Sequence, residues 1–170
     1  MLVLQTERLH LREFKVDDND AQFAIVLLNQ PSFLRFIGDK NVRNLENARE
    51  YIRNGPVASY ERHGLGLFVV ELKESHTPIG MCGLLKREEL PHPDIGFAFL
   101  PDFWNKGFAF EAAAAVLQSA RDRLQLVLAI TSLDNVASIK LLERLGFTFE
   151  KVISLAKDRE QVRLFKKSPL

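Results

Sequence analysis

The residues with the clearest chemical potential lie at positions 105–109, Asn-Lys-Gly-Phe-Ala, just before an alanine-rich stretch with the composition of a helix. The first N–H groups of a helix have no partners inside it and lie at the positive end of its dipole, so they attract phosphate oxygens. Gly107 has no side chain to keep an anion from the backbone. The pattern predicts a phosphate site, but neither GxxxxGK[ST] nor GxGxxG is present, which excludes a nucleotide-hydrolysing loop and a dinucleotide turn.

A strand must lead into this turn, and the segment DIGFAFL predicts one. Its bulky residues Ile95, Phe97 and Phe99 share one face, because side chains alternate along a strand. Gly96 and Ala98 occupy the other face. We expect the small residues to leave room for something other than a side chain.

Composition limits the classes of protein. The chain has 170 residues, 46% hydrophobic and 26% charged, with a net charge of +1. These values predict a single soluble domain over residues 1–170 and no nucleic-acid partner held through phosphates. No membrane segment or leader is recognisable, which favours the cytoplasm. Cys82 is expected to be a small buried hydrophobe, and the four histidines lack the spacing of a zinc site, so no metal is expected.

The segment DIGFAFLPDFWNKGFAFEAA resembles the acetyl-CoA signature of the GNAT superfamily of N-acetyltransferases. It is most similar to the Rim-type branch (RimJ/RimL-like), which acetylates ribosomal proteins. About thirty residues later, NVASIKLLERLGF resembles the second GNAT signature, and TERLHLR near the start resembles the first strand of the Rim-type branch. The resemblance extends from Thr6 to about Phe165.

The resemblance implies the GNAT fold, an α/β (α+β) arrangement. It has a mixed, mainly antiparallel sheet of about seven strands with helices on both faces. A V-shaped splay is expected between the strands at 94–100 and 124–130. Elsewhere, the pattern predicts a helix at 44–62 interrupted by Gly55 and Pro56, and a hairpin at 65–85. Gly146 suits the left-handed position after the helix that begins near Asn135.

The resemblance also assigns residues to acetyl-CoA. Main-chain groups near Phe97, Phe99 and Leu100 are expected to pair with the pantetheine amides. The pyrophosphate is expected on the turn, at Asn105, Lys106, Gly107, Phe108 and Ala109. Asn135 is either a cofactor ligand, as in the family, or a plain helix cap.

Direct attack of a neutral amine on the thioester requires a base, an oxyanion donor and a proton for the thiolate. Asp94 stands where many relatives carry a glutamate and is the first candidate for the base, with His92 and Glu88 as alternatives. A backbone N–H around Phe99 or Leu100 is expected to bind the oxyanion.

The sequence offers two candidates for the donor of the proton to the thiolate. Many GNAT enzymes carry a tyrosine at the position of Leu142, which cannot donate a proton. The role then passes to Ser138, one turn earlier, or to solvent. A serine is a poor acid, and an exposed or capping hydroxyl is the ordinary alternative for it.

The amine acceptor is suggested by the segment Asn29–Ile37, which resembles a family segment lining the acceptor side of the cleft. Phe33, Arg35 and Phe36 are the candidate contacts, although phenylalanines in such a segment more often belong to the core than to a substrate wall. A protein α-amine with a pKa of about 8 is about one tenth neutral at pH 7, whereas a lysine near 10.4 is almost never neutral. We expect an N-terminal α-amine acceptor. A small-molecule amine, and a binding module without turnover, remain alternatives, and the oligomeric state is open.

Overall fold

A computed structural model describes residues 1–156 and 159–170. One sheet runs through the molecule in the order β1-β2-β3-β4-β5-β6-β8-β7. Its strands are β1 Leu2–Gln5, β2 Leu9–Glu13, β3 Leu67–Leu72, β4 Pro78–Leu85, β5 Asp94–Phe99, β6 Val127–Ser132, β7 Thr148–Ser154 and β8 Gln161–Lys167. The predicted mixed, mainly antiparallel sheet is confirmed, with eight strands rather than about seven.

Six α-helices accompany the sheet: α1 Asp18–Leu28, α2 Pro31–Phe36, α3 Leu45–Ile52, α4 Ala58–His63, α5 Phe108–Ala120 and α6 Val136–Arg144. The helix predicted at 44–62 is divided into α3 and α4 by a π-helical turn, Arg53–Val57. Pro56 lies in this turn, where its missing N–H removes a helical hydrogen bond and favours the wider geometry.

Helices cover both faces of the sheet, as predicted. On one face, α5 and Leu142 of α6 pack over the middle strands, with Ala112, Ala113 and Ala120 completely buried. On the other face, α1, α2 and α3 pack over β3 and β4. The alanines of α5 explain its close approach, because a methyl group adds little thickness between a helix and a sheet.

Among the described residues, β5 and β6 are the only parallel neighbours in the sheet, and Asp94 with Leu128 is their single paired position. Beyond that pair the two strands diverge, so the predicted splay is present. The prediction was wrong about where β6 begins. It starts three residues later than expected because Arg123 and Leu124 still donate N–H bonds to Ala120, which close the end of α5.

Candidate active site

A cavity of about 870 Å³ opens between the diverging strands. Residues of β5, β6, α2, α3, the π turn, α4 and α6 form its walls, and the turn before α5 closes one end. The volume lies within the range of small-molecule sites in proteins. The splay therefore creates a pocket rather than a narrow crack between strands.

The edge of β5 that faces this gap carries main-chain groups without strand partners. Leu100 donates its N–H to Ile79 of β4, at 2.9 Å. Hydrogen-bonding direction alternates along an antiparallel strand, so Ala98 also faces β4, and Phe97 and Phe99 face the gap. The carbonyl oxygen of Phe99 accepts the indole N–H of Trp104 at 2.8 Å. The N–H groups of Phe97 and Phe99 and the carbonyl of Phe97 remain for a ligand.

Leu100 does not have the role predicted for it. Its N–H is committed to Ile79, its carbonyl accepts the N–H of Phe103 at 3.0 Å, and the residue does not line the cavity. The prediction followed sequence adjacency, whereas the alternation of the ladder determines which residues face the gap.

The turn before α5 has the geometry expected of a phosphate site. Asn105 and Gly107 have positive φ angles of 58° and 81°, and Gly107 occupies the N-cap position with no side-chain cap. The first helical hydrogen bond runs from Glu111 N–H to Gly107 carbonyl. The N–H groups from Phe108 to Phe110 therefore lack partners within the helix, and these residues line the cavity.

Of the five turn residues that the sequence assigned to the cofactor, Lys106 alone does not line the cavity. Its side chain is exposed, with the ammonium group 5.8 Å from the centre of the Phe103 ring. Its carbonyl accepts a hydrogen bond from Arg8 Nη1 at 2.9 Å. The structure thus gives Lys106 a place in the support of the turn rather than in its binding surface.

Arg8 is a residue that the sequence reasoning missed. Its Nε lies 2.7 Å from Glu111 Oε2, and its guanidinium stacks on the Phe108 ring at 4.3 Å. Glu111 Oε1 also accepts from the Arg8 N–H and the Thr6 hydroxyl. Burial alone would raise the pKa of Glu111, but these hydrogen bonds lower it below its usual value. The available signal was the TERL segment, whose threonine and arginine both contact α5.

Asp94 lies where β5 and β6 separate, and its side chain is almost completely buried. Arg87 Nε donates to both of its carboxylate oxygens, at 3.0 and 3.1 Å. Burial raises the pKa of Asp94, and the positive charge of Arg87 opposes that rise. Asp94 lines the cavity, whereas the alternative bases His92 and Glu88 are exposed and do not.

Several hydroxyl groups face the cavity from other elements. Ser138 lies in the first turn of α6, where its N–H donates to the Asn135 side chain at 3.3 Å, and both residues line the cavity. The Thr131 and Ser132 hydroxyl oxygens on β6 are buried and lack a hydrogen-bond partner among the described residues. Tyr51 of α3 also lines the cavity, and burial raises its pKa to about 12.

The position at which relatives carry a tyrosine does not face the cavity in this chain. Leu142 is buried in the core beneath α6, and its neighbour Leu141 lines the cavity instead. The chain has one tyrosine besides Tyr51, namely Tyr60. Tyr60 has a structural role, because its hydroxyl donates to the Leu67 carbonyl and accepts the Phe14 N–H.

On the acceptor side, Phe33 and Phe36 of α2 line the cavity, and Arg35 does not. Arg35 is exposed, stacks on the Phe36 ring at 4.7 Å and forms an ion pair with Asp134 at 3.1 Å. It therefore joins α2 to the loop before α6. Arg35 is thus exposed on the surface of α2, whereas the sequence suggested a contact with the acceptor inside the cleft.

Three polar side chains form a cluster outside the cavity that the sequence did not predict. The side chains of His10, Glu71 and His76 lie together on neighbouring strands and their turn. Glu71 accepts from Arg12 at 2.9 Å and lies 3.1 Å from His76 Nδ1. Hydrogen bonding within this network already engages both oxygens of Glu71.

Comparisons with known proteins agree with this fold. Residues 8–148 match the family model described as an acetyltransferase (GNAT) domain. An uncharacterized N-acetyltransferase, YoaA of Bacillus subtilis, is 29% identical over 155 residues, covering 89% of this chain and 85% of YoaA. RimL, a ribosomal L7/L12 alpha-N-protein acetyltransferase in complex with coenzyme A, superposes with a TM-score of 0.84 at 17% identity, covering 99% of this chain and 98% of RimL.

A second similar structure is that of an acetyltransferase named for self immunity rather than for a ribosomal protein. The microcin C7 self immunity acetyltransferase MccE, in complex with acetyl-CoA and AMP, superposes with a TM-score of 0.80 at 17% identity, covering 96% of this chain and 93% of MccE. The two structural likenesses support the fold, and the family model covers most of the chain. The protein belongs to the GNAT family of acetyltransferases.

Proposed function

We propose that this acetyltransferase uses acetyl-CoA to acetylate the N-terminal α-amine of a protein, as the Rim-type branch does. The observation that carries the proposal is the continuous binding edge along β5. It begins at Asp94, passes the gap-facing groups of Phe97 and Phe99, and ends at the uncapped turn at Gly107. A ligand with amides in its middle and phosphates at one end matches this edge.

The chain's own residues fit acetyl-CoA along this edge. Phe99 offers its N–H group, and Phe97 its carbonyl, to the amides of the pantetheine arm. The N–H groups of Phe108 to Phe110 suit the pyrophosphate, and the side chains of Asn135 and Thr131 are additional polar contacts. When bound, acetyl-CoA supplies a thioester that an amine can attack directly. No nucleophilic side chain is then required.

Asp94 is the proposed base for the acceptor amine, directly or through a water molecule. A raised pKa makes a carboxylate a better proton acceptor, and Arg87 keeps Asp94 oriented. The N–H group of Phe97, the gap-facing donor nearer to Asp94, is the proposed donor to the oxyanion. Ser138, which faces the cavity from α6, is the proposed source of the proton for the thiolate, with solvent as the alternative.

The name of RimL supports an α-amine acceptor, because that protein acts on the N terminus of a ribosomal protein. The small fraction of lysine that is neutral at pH 7 favours an α-amine on chemical grounds. The name of MccE favours a second candidate function, acetylation of a small-molecule amine. Both use the same edge of β5 and differ at the acceptor end of the cavity, near Phe33 and Phe36.

The test is to incubate the pure protein with acetyl-CoA and a panel of amines while measuring free thiol. The panel contains peptides with free N termini, the same peptides with blocked N termini and a lysine side chain, and small amines. We expect thiol release with the free N termini. Tight coenzyme binding without release from any acceptor would instead identify a binding module, and release with small amines alone would support the second candidate.

A further inference from the structure

The walls of the cavity carry a large local excess of positive charge. Six lysine or arginine residues line it: Lys40, Arg62, Lys86, Arg87, Arg144 and Arg159. Asp94 is the one carboxylate among the described residues in the lining. The whole chain is nearly balanced, with 23 basic and 22 acidic residues. Overall composition therefore does not explain the excess.

Three of these cations come together from three different loops. Lys40 lies between α2 and α3, Arg87 between β4 and β5, and Arg159 between β7 and β8. Partial desolvation, and then the positive charges of Arg87 and Arg159, lower the pKa of Lys40. Arg87 and Arg159 are thus close enough to Lys40 to affect its charge, and all three residues line the same cavity.

Among the described residues that line the cavity, the charge of this group is only partly compensated. Asp94 accepts both hydrogen bonds from Arg87 Nε. Glu88 and Glu89 are in the same loop as Arg87, but they do not line the cavity. Like charges held together near protein atoms are unfavourable, and an anionic ligand relieves that repulsion.

The coenzyme phosphates do not account for this group. They suit the turn at Gly107, at the opposite end of β5 from Asp94. Arg144 stacks on the Phe110 ring at 4.6 Å, in the first turn of α5, and so lies at the phosphate end. Arg87 contacts Asp94, where the acceptor amine must approach the thioester, and Lys40 feels the charges of both Arg87 and Arg159.

We propose that the acceptor carries an anionic group, a carboxylate or a phosphate, close to its amine, and that Lys40, Arg87 and Arg159 bind this group. The inference rests on the proposed transfer to an amine at the Asp94 end of the cavity. Positive charge in the cavity wall raises the encounter rate with anionic acceptors and disfavours polycationic amines.

The first experiment compares matched acceptors by thiol release. Three peptide amides are used, Ser-Asp-Glu-Phe, Ser-Asn-Gln-Phe and Ser-Lys-Arg-Phe, together with serine, serinamide and phosphoserine. We expect kcat/KM to be about tenfold higher for the acidic peptide than for the neutral one, as for one or two partly exposed ion pairs. Serine and phosphoserine distinguish small anionic acceptors from acidic peptides. Equal or faster reaction of the neutral or basic peptide would overturn the inference.

The second experiment reverses the charges. In the double variant Lys40→Glu and Arg159→Glu, the preference for the acidic peptide should fall about tenfold, and the basic peptide should gain. The control carries Arg123→Glu and Lys151→Glu, two exposed positions outside the cavity, and should keep the original preference. An unchanged preference in the first double variant would contradict the assignment of these residues.

Measurements of peptide binding distinguish failure of this inference from failure of the proposed function. Calorimetry measures the affinity of the acidic and neutral peptides for the protein saturated with coenzyme A. No thiol release from any acceptor would contradict the proposed function, while tighter binding of the acidic peptide would still support the charge inference. Equal affinity, or weaker binding of the acidic peptide, would overturn the inference even if the enzyme is active.

Discussion

Asp94 is the residue on which the proposed chemistry depends most, because no other carboxylate among the described residues faces the cavity. Its family position was recognisable from sequence, but its ion pair with Arg87 was not, since the two residues lie on opposite sides of a loop. Leu142 illustrates a different limit. It is buried in the core, at the position where many GNAT enzymes carry a tyrosine. In this chain the position contributes to the core and supplies no proton donor to the cavity.

Replacing Asp94 by asparagine should lower the acetyl-transfer rate at pH 7 by about 100-fold, the lower limit of the usual range for a lost base. The base acts when deprotonated, so the wild-type rate should fall as pH drops through the raised pKa of Asp94. The variant should lose that limb of the pH profile. Coenzyme affinity, measured by calorimetry, should change little.

Glu88→Gln is the matched control for this carboxylate, because Glu88 is exposed in the preceding loop and does not line the cavity. Its pH–rate profile should coincide with that of the wild type. An unchanged profile in Asp94→Asn would remove Asp94 from the mechanism.

Gly107→Ala should weaken coenzyme binding through the shape of the turn. A Cβ at this position would lie 3.3 Å from Arg8 Nη2, and the φ angle of +81° is unfavourable for alanine by about 1–2 kcal/mol. The Cβ would press on Arg8 and disturb the turn rather than enter the phosphate position. Isothermal titration with coenzyme A should show an affinity loss of about tenfold or more, as expected for the loss of one charge-assisted hydrogen bond.

Gly64→Ala supplies the control for backbone strain. Gly64 also has a positive φ angle, +64°, and a Cβ there would meet nothing within 4 Å. Both variants should lose similar stability in thermal unfolding, and only Gly107→Ala should lose coenzyme affinity. Equal affinity in both variants would contradict the role of the turn.

The elements around the site differ in how far their sequences determine them. The end of α6 was predictable: Gly146 has a φ angle of +90°, and the Phe147 N–H donates to the Leu142 carbonyl at 2.9 Å, as in a Schellman motif. The start of β6 was not predictable. The apolar run that begins at Leu124 does not show that the N–H groups of Arg123 and Leu124 still donate to Ala120 at the end of α5. The attachment of the phosphate turn to the first strands was also hidden, since Arg8 and Glu111 are far apart in sequence.

Glu111→Gln should loosen this attachment. The pKa of Glu111 is lowered in the folded protein, so its stabilising contribution is present above the unfolded value of 4.5 and is lost as pH falls through the folded value. The variant should be less stable by about 1 kcal/mol at pH 7, a modest amount because the pair is partly exposed. In urea unfolding, the difference from wild type should shrink below about pH 4.5.

Arg43→Met removes an exposed ion pair with Asp39 and serves as the comparison for Glu111→Gln. It should leave coenzyme affinity unchanged, whereas Glu111→Gln should reduce it by disturbing the turn. Loss of stability without any loss of affinity in Glu111→Gln would show that the attachment has no influence on binding.

For the whole molecule, the sequence was sufficient to predict the GNAT fold, the two-sided packing and the splay, because two signatures in the right order specify the arrangement of β5, α5, β6 and α6. The basic group at the Asp94 end was not predictable. Lys40, Arg87 and Arg159 belong to three loops with no pattern in common, and the nearly neutral net charge conceals their convergence. No helix among the described residues has the length and hydrophobicity needed to cross a membrane.

A crystal structure of the protein with bound acetyl-CoA tests the central claim most directly. We predict that the pantetheine arm lies between β5 and β6, with its amides on Phe97 and Phe99 and the pyrophosphate on the N–H groups of Phe108 to Phe110. Acetyl-CoA bound elsewhere, or β5 and β6 paired along their whole length with no gap, would contradict the account.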